Sequence, residues 1–182
     1  MEEPSEPKRR NAAKTRARIL SAAFDAFAEH GYRNTGIRDV AERADVASSL
    51  ILRYFGTKAN LFHDALIFGI WKDSLFTRDK RKFGEQMARL IANDSDANLT
   101  AMMVLAIADP ESREVASKVL KRHVLEPLAE WLGPPNAMSR AMDMYGLMSG
   151  FTIQIRMLDK GKVPPASVRW LAKAMQDIVD AG

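Results

Sequence analysis

From Ile19 to Val179 the apolar residues of this chain return every three or four positions, and nowhere do they alternate with polar ones over a β-branched run. A three-to-four period buries one stripe of a helix and cannot lie on one face of a strand, so the chain is expected to be all-α. The first stripe is Ile19, Ala23 and Phe27, with Leu20, Phe24 and Ala28 beside it. Gly31 suits the left-handed position that stops a helix, and Tyr32 can then pack back on Phe27. Thr35 is placed to cap a short second helix carrying Ile37, Val40, Ala41 and Ala44, and a third carries only Ile51 and Phe55. Two short helices around a tight turn make a helix-turn-helix candidate. Longer helices are predicted over 58–78, 83–92, 97–108, 110–132, 136–159 and 166–180. Their punctuation is Asp109-Pro110, Gly133-Pro134-Pro135 and Gly161 with Pro164-Pro165. Pro127 should kink the helix it sits in.

At 182 residues and 47% apolar composition, the chain can bury one substantial core, or one with a small appended module. It has neither an apolar run of membrane-spanning length nor a short one behind a basic start, so a cytoplasmic protein with no membrane partner is expected. Zero cysteines exclude disulfides and thiolate chemistry. The histidines, at 30, 63 and 123, lack metal-ligand spacing, so no metal and no cofactor are expected. Neither a phosphate loop, nor an H-E-x-x-H, nor a nucleophile elbow is present, which argues against an enzyme.

The charge is uneven: residues 8–60 hold 11 Lys/Arg against 5 Asp/Glu, while residues 61–182 hold 16 against 15. A basic excess confined to the first third suits a polyanion partner, and equally suits plain solubility. Residues 1–11, with two prolines and little apolar content, read as a disordered tail. Residues 12–58 read as the helix-turn-helix domain, and 59–182 as a larger helical domain for effector binding and dimerisation.

A third helix packed through Ile51 and Phe55 leaves Ser48, Ser49, Leu52 and Arg53 pointing outward. Hydroxyls and a guanidinium can bond phosphates or base edges, and a leucine can touch a thymine methyl; a solvated helix face is the competing reading. Lys58 opens the next helix against the macrodipole, at a cost of about 0.3–1 kcal/mol that a phosphate would offset. Thr57 as cap and Tyr54 a turn earlier complete what looks like a phosphate clamp.

The 48-residue stretch TRARILSAAFDAFAEHGYRNTGIRDVAERADVASSLILRYFGTKANLF resembles the DNA-binding domain of the tetracycline-repressor (TetR) family. The likeness is carried by I-L-x-A-A-x-x-x-F-A-x-x-G-Y, T-x-I-R-D-V-A-x-x-A and R-Y-F-x-x-K-x-x-L. It implies that Thr35, Tyr54 and Lys58 meet phosphates, that Arg38 meets a base edge or phosphate, and that residues 48 to 53 enter the major groove. Three positions depart from the pattern. Asp45 replaces the turn glycine, Ala47 a capping serine that Ser48 could succeed, and Leu52 a tyrosine. The last two leave open a helical ligand-binding or interaction protein whose reading domain no longer grips DNA.

In the larger half, the helix predicted over 136–159 is apolar nearly all round. One face has Ala141, Met144, Met148, Phe151, Ile155 and Leu158; the other has Met142, Tyr145, Ile153 and Met157, with Gly146, Ser149 and Gly150 allowing close approach. Such a helix needs cover on two sides. The resemblance implies that it and the last helix pair with their twins in a homodimer that binds a pseudo-palindromic double-stranded operator. Met148, Phe151, Ile155, Leu171, Met175 and Ile178 are the interface candidates. Phe68, Trp71, Met102 and Met103, with His123 and Tyr145 as polar anchors, are the candidates for a pocket holding a small apolar effector.

Overall fold

The computed structural model of the protein describes residues 6–72, 79–93, 98–158 and 163–182, and all their side chains except those of residues 6–9, 71, 72 and 156. Every element among the described residues is helical. They are α1 (Glu6–Asn34), α2 (Ile37–Arg43), α3 (Ser48–Phe55), α4 (Lys58–Lys72), α5 (Phe83–Asn93), α6 (Asn98–Ala106), α7 (Pro110–Leu120), α8 (Glu126–Leu132), α9 (Ala137–Thr152) and α10 (Pro165–Asp180). A 3-10 turn over Lys80–Lys82 leads into α5, a π turn over Lys121–Leu125 joins α7 to α8, and another over Ile153–Leu158 prolongs α9. No described helix is long and apolar enough to cross a membrane.

The expectation of a disordered tail is corrected from Glu6 onward, where α1 already runs. Pro7 sits in its first turn, where a missing N–H costs nothing, and Arg, Lys and Ala then favour helix without an apolar stripe. Thr15 Oγ1 donates to the Asn11 carbonyl at 2.9 Å. Residues 1–5, and residues 73–78 of the helix predicted over 58–78, lie outside the described residues. Gly31 breaks α1 at φ 74°, and Tyr32 stacks back on Phe27 with centroids 6.0 Å apart. Ahead of Pro127 the chain widens into the π turn, since a proline there supplies no N–H and its ring crowds the carbonyl four residues back. Asp109 caps α7 by accepting from Ser112 N–H at 3.0 Å, with Pro110 next.

Two apolar cores hold the helices. The first gathers Ile19, Phe27, Ile51, Phe62, Leu66, Met102 and Val119, drawing on α1 to α4, α6 and α7. It takes residues from both sides of residue 58, so α4 belongs equally to the helix-turn-helix and to the helices behind it. The second gathers Phe83, Met87, Leu128, Met144, Leu171 and Met175, from α5 and α8 to α10.

Candidate nucleic-acid interface

Asp45 stands at φ 50°, in the left-handed position that ends α2. Its N–H bonds the Glu42 carbonyl at 3.1 Å and the Val46 N–H bonds that of Ala41 at 3.0 Å, the paired closure of a Schellman stop. An aspartate tolerates this backbone better than most residues, so the tight turn survives without glycine. Arg18 of α1 donates to the Asp45 carbonyl at 3.3 Å and ties the turn to the domain. α3 leaves this turn with Ile51 and Phe55 buried, Ser49, Leu52 and Arg53 exposed, and Ser48 half-exposed. Leu52 is 49% exposed, a large apolar side chain on the outward face of a helix that only Ile51 and Phe55 anchor. Its cap is Ala47, not Ser48, so no side chain satisfies the first N–H groups of α3. Arg38 is exposed on α2 and has no ion-pair partner among the described residues, whereas Arg43 is bound to Glu29 at 2.6 Å, a bond that holds the Glu29 carboxyl below its usual range.

Two of the residues nominated for phosphates, Thr35 and Lys58, are engaged inside the chain, and Tyr54 makes one long contact. Thr35 is 1% exposed, and its Oγ1 lies 2.8 Å from the Gly31 carbonyl and 3.1 Å from that of Ala26. It therefore cannot present its hydroxyl to a phosphate. Nor does it cap α2, whose cap is Gly36, with the Gly36 N–H donating to Asp39 Oδ2 at 2.7 Å. The Tyr54 hydroxyl points to the Ala12 carbonyl of α1 at 3.5 Å, a long and exposed contact. Lys58 Nζ lies 4.4 Å from the centre of the Tyr32 ring, a cation-π contact that stabilises a cation at the start of α4 without any phosphate. Thr57 is the α4 cap, accepting from Asn60 N–H at 3.1 Å. Tyr32 donates in turn to Glu111 of α7 at 2.6 Å, and burial together with that bond pushes its hydroxyl well above the ordinary tyrosine range.

Sequence reasoning missed the helical start of α1, which carries exposed Arg10 and Lys14. Pro7 followed by Arg, Lys and Ala was the available signal. Arg16, in the basic segment KRRNAAKTR that the sequence offers to the DNA backbone, pairs with Asp64 and lies 5.3 Å from the Phe55 ring centre.

The effector candidates are divided. Met102 is fully buried in the first core, and Phe68 and Met103 pack against it, Phe68 edge-on to Phe24 at 6.2 Å. The His123 ring meets that of His63 edge-on at 6.3 Å. Tyr145 is half-buried and hydrogen-bonded to Ser149, burial raising its hydroxyl. The Trp71 side chain lies outside the described residues.

Two of the six interface candidates need correction too. Leu171 and Met175 face inward, at 1% and 0% exposure, because α10 spends that stripe on α5 and α9. Met148, Phe151, Ile155 and Ile178 are half-buried against the second core. The exposed apolar side chains of the last two helices are Met138 and Met142 of α9, Leu158 at the end of the π turn and Trp170 of α10, with Phe151 stacked on Trp170 at 5.7 Å. Gly146 and Gly150 continue the Met138 and Met142 row, and a Cβ on either would meet open space.

Two family models match the chain. One, described as bacterial regulatory proteins of the tetR family, matches residues 19–65; the other, described as a tetracyclin repressor-like C-terminal domain, matches residues 82–179. The HTH-type transcriptional repressor Rv3405c of Mycobacterium tuberculosis is 53% identical over 45 residues, 25% of this chain and 24% of that protein. The HTH-type transcriptional regulator RutR of Escherichia coli is 37% identical over 83 residues, 44% of this chain and 36% of its own length. Among solved structures, the fatty acid degradation regulator FadR of Bacillus halodurans matches with TM-score 0.68 at 19% identity, over 87% of this chain and 96% of that one. A transcriptional regulator of Saccharomonospora viridis, solved in complex with choline, matches with TM-score 0.62 at 18% identity, over 92% and 96%.

Proposed function

The chain belongs to the TetR family of bacterial regulatory proteins, and on that footing we propose that it is a ligand-responsive repressor that binds a pseudo-palindromic operator as a homodimer in the bacterial cytoplasm. The observation that carries this reading is the division of α3: two residues anchor it, and Ser49, Leu52 and Arg53 stand outward beside an uncapped helix start. Free N–H groups and a guanidinium suit phosphate and base edges, and Leu52 suits a thymine methyl. Arg38, Arg53, Arg10 and Lys14 supply exposed positive charge on the same helices. Lys58 joins them when it leaves the Tyr32 ring.

The second subunit is proposed to dock on the open face of α9 and α10, around Met142, Gly146, Gly150 and Trp170, with Phe151 and Ile178 beside it. A twofold pair would set the two α3 helices about 34–36 Å apart, one helical turn of duplex. The effector acts through α4, which the first core shares between the reading helices and α6 and α7. Only a ligand with different affinity for the two arrangements of α4 can release the DNA. The choline complex of the Saccharomonospora viridis protein supports a small-molecule effector.

Selection of duplexes from a random pool, followed by a salt titration of the winner, tests the reading. Log affinity should fall with log salt at a slope of about −0.9 per phosphate contact, and the enriched sequences should be inverted repeats. A pool left unenriched at low ionic strength would refute it.

A further inference from the structure

Between the first turns of α4 and the end of α7 runs an open cleft of about 250 Å³ with a basic lining. Asn60 and His63 come from α4, Lys118 from α7, and Arg122 and His123 from the π turn; Val119, buried at 1% exposure, supplies an apolar base. No carboxylate is among the lining residues. The neighbouring acids are engaged: Glu114 accepts from Lys118 at 2.7 Å, and Asp64 is shared between Arg16 and His63 Nδ1. Arg122 is exposed and has no acidic partner among the described residues. Here the unpaired Arg122 guanidinium and two imidazoles 6.3 Å apart border one concavity over an aliphatic base, with the Lys118 ammonium at its edge on Glu114, a donor set that suits a carboxylate or phosphate.

We propose that this cleft binds a small organic anion, its carboxylate or phosphate head held by Arg122 and the two histidines and drawing Lys118 away from Glu114, its apolar body resting on Val119. Occupancy draws α7 and its π turn against α4. The consequence for DNA rests on the regulatory reading above. The first turn of α7 carries Glu111, which accepts the Tyr32 hydrogen bond, and the Tyr32 ring holds Lys58. Displacing α7 therefore changes how Lys58 is held at the start of α4, where the reading helices join the rest of the chain.

The test uses the full chain, labelled with ¹⁵N at histidine, at fixed pH and ionic strength. Sodium benzoate and phenyl phosphate are titrated separately, with benzamide as the neutral counterpart. The His63 and His123 ring resonances should move with at least one anion and stay still with benzamide, while His30, outside the cleft, stays still throughout. Whichever anion acts identifies the head group. Arg122→Gln, at an exposed position, should weaken that binding by about tenfold or more. Equal shifts from benzamide, movement of all three histidines together, or an Arg122→Gln protein with undiminished affinity would each overturn the site. For the coupling, the active anion should change affinity for the selected duplex, and Glu111→Gln should blunt that change. Ring shifts without any change in duplex affinity would overturn the coupling alone, whereas a protein that selects no duplex contradicts the regulatory reading and leaves the ring shifts to judge the site.

Discussion

Arg140 is buried with four carbonyls around it. Its Nε donates to Ile178 at 2.9 Å, one terminal nitrogen to Val179 at 2.9 Å, and the other to Gly133 at 2.9 Å and Pro135 at 3.1 Å. The end of α10 presents unsatisfied carbonyls and the negative end of its dipole, so a guanidinium is stabilised there without a carboxylate. Arg140→Met should cost about 3 kcal/mol in urea denaturation, and Arg140→Lys should recover little, because one ammonium cannot span four acceptors. A loss below about 0.5 kcal/mol would contradict this accounting. Thr35 makes a second residue-scale case. Thr35→Val leaves the Ala26 and Gly31 carbonyls without their donor and should cost about 1–3 kcal/mol, while Thr35→Ser keeps it. If the hydroxyl instead served DNA, Thr35→Val would weaken duplex binding of the fully folded protein; the expected result is unchanged binding. Tyr32 gives the pH dependence. Its folded pKa is raised above the ordinary value of about 10, so its contribution to stability is complete below that pH and is lost as the pH climbs toward the raised value. Wild type should therefore lose stability above about pH 10 more steeply than Tyr32→Phe, a difference in which the other tyrosines cancel.

At the scale of elements, two glycines set how closely helices approach. A Cβ on Gly84 of α5 would overlap the Ala172 carbonyl oxygen of α10, and one on Gly69 of α4 would overlap the Phe24 ring of α1. Gly84 also donates its N–H to Gln176 Oε1 at 3.1 Å, and the Gln176 amide donates to Lys80 O and Asp180 Oδ1. Gly84→Ala should cost about 2–3 kcal/mol in thermal or urea unfolding, and more than Gly69→Ala, because backbone atoms of α10 cannot rotate aside as a ring can. The helices themselves were legible from apolar spacing, and the α2 to α3 turn from the tolerance of Asp45 for positive φ. The outward set on α3 followed from Ile51 and Phe55 alone. The face of α10 turned to its own subunit was not legible, since Leu171 and Met175 carry the same period whether they meet α5 or a second chain. Lys58 misled for a related reason: the penalty of a cation at a helix start is local, but its relief by Tyr32 comes from 26 positions away in the sequence. The start of α1 was hidden because it packs few apolar side chains and rests on propensity and a Pro7 opening.

For the whole molecule, the proposed assembly rests on exposed apolar side chains and bare glycines of the last two helices. Met142 is 57% exposed and Trp170 56%, and Gly146 and Gly150 sit one turn apart with nothing above them. Adjacent small residues let two helix backbones approach closely, and the flanking methionine and tryptophan add apolar area to such a contact. A Gly146→Leu substitution separates this reading from a merely structural one, because its two effects have opposite sign. Within one subunit, leucine replaces the costliest backbone entropy in a helix and its Cβ meets open space, so the isolated fold should gain about 0.5–1 kcal/mol. Between subunits, the branched side chain holds the helices apart and should weaken dimerisation by about tenfold or more, the scale of an overpacked interface. Sedimentation velocity should show the wild type as a dimer and the variant shifted toward monomer at equal concentration. Its affinity for the selected inverted repeat should fall, and its log-log salt slope should approach half the wild-type value as one reading head engages instead of two. A variant that stays dimeric with an unchanged slope would place the twofold interface elsewhere and remove the α9 row from the assembly.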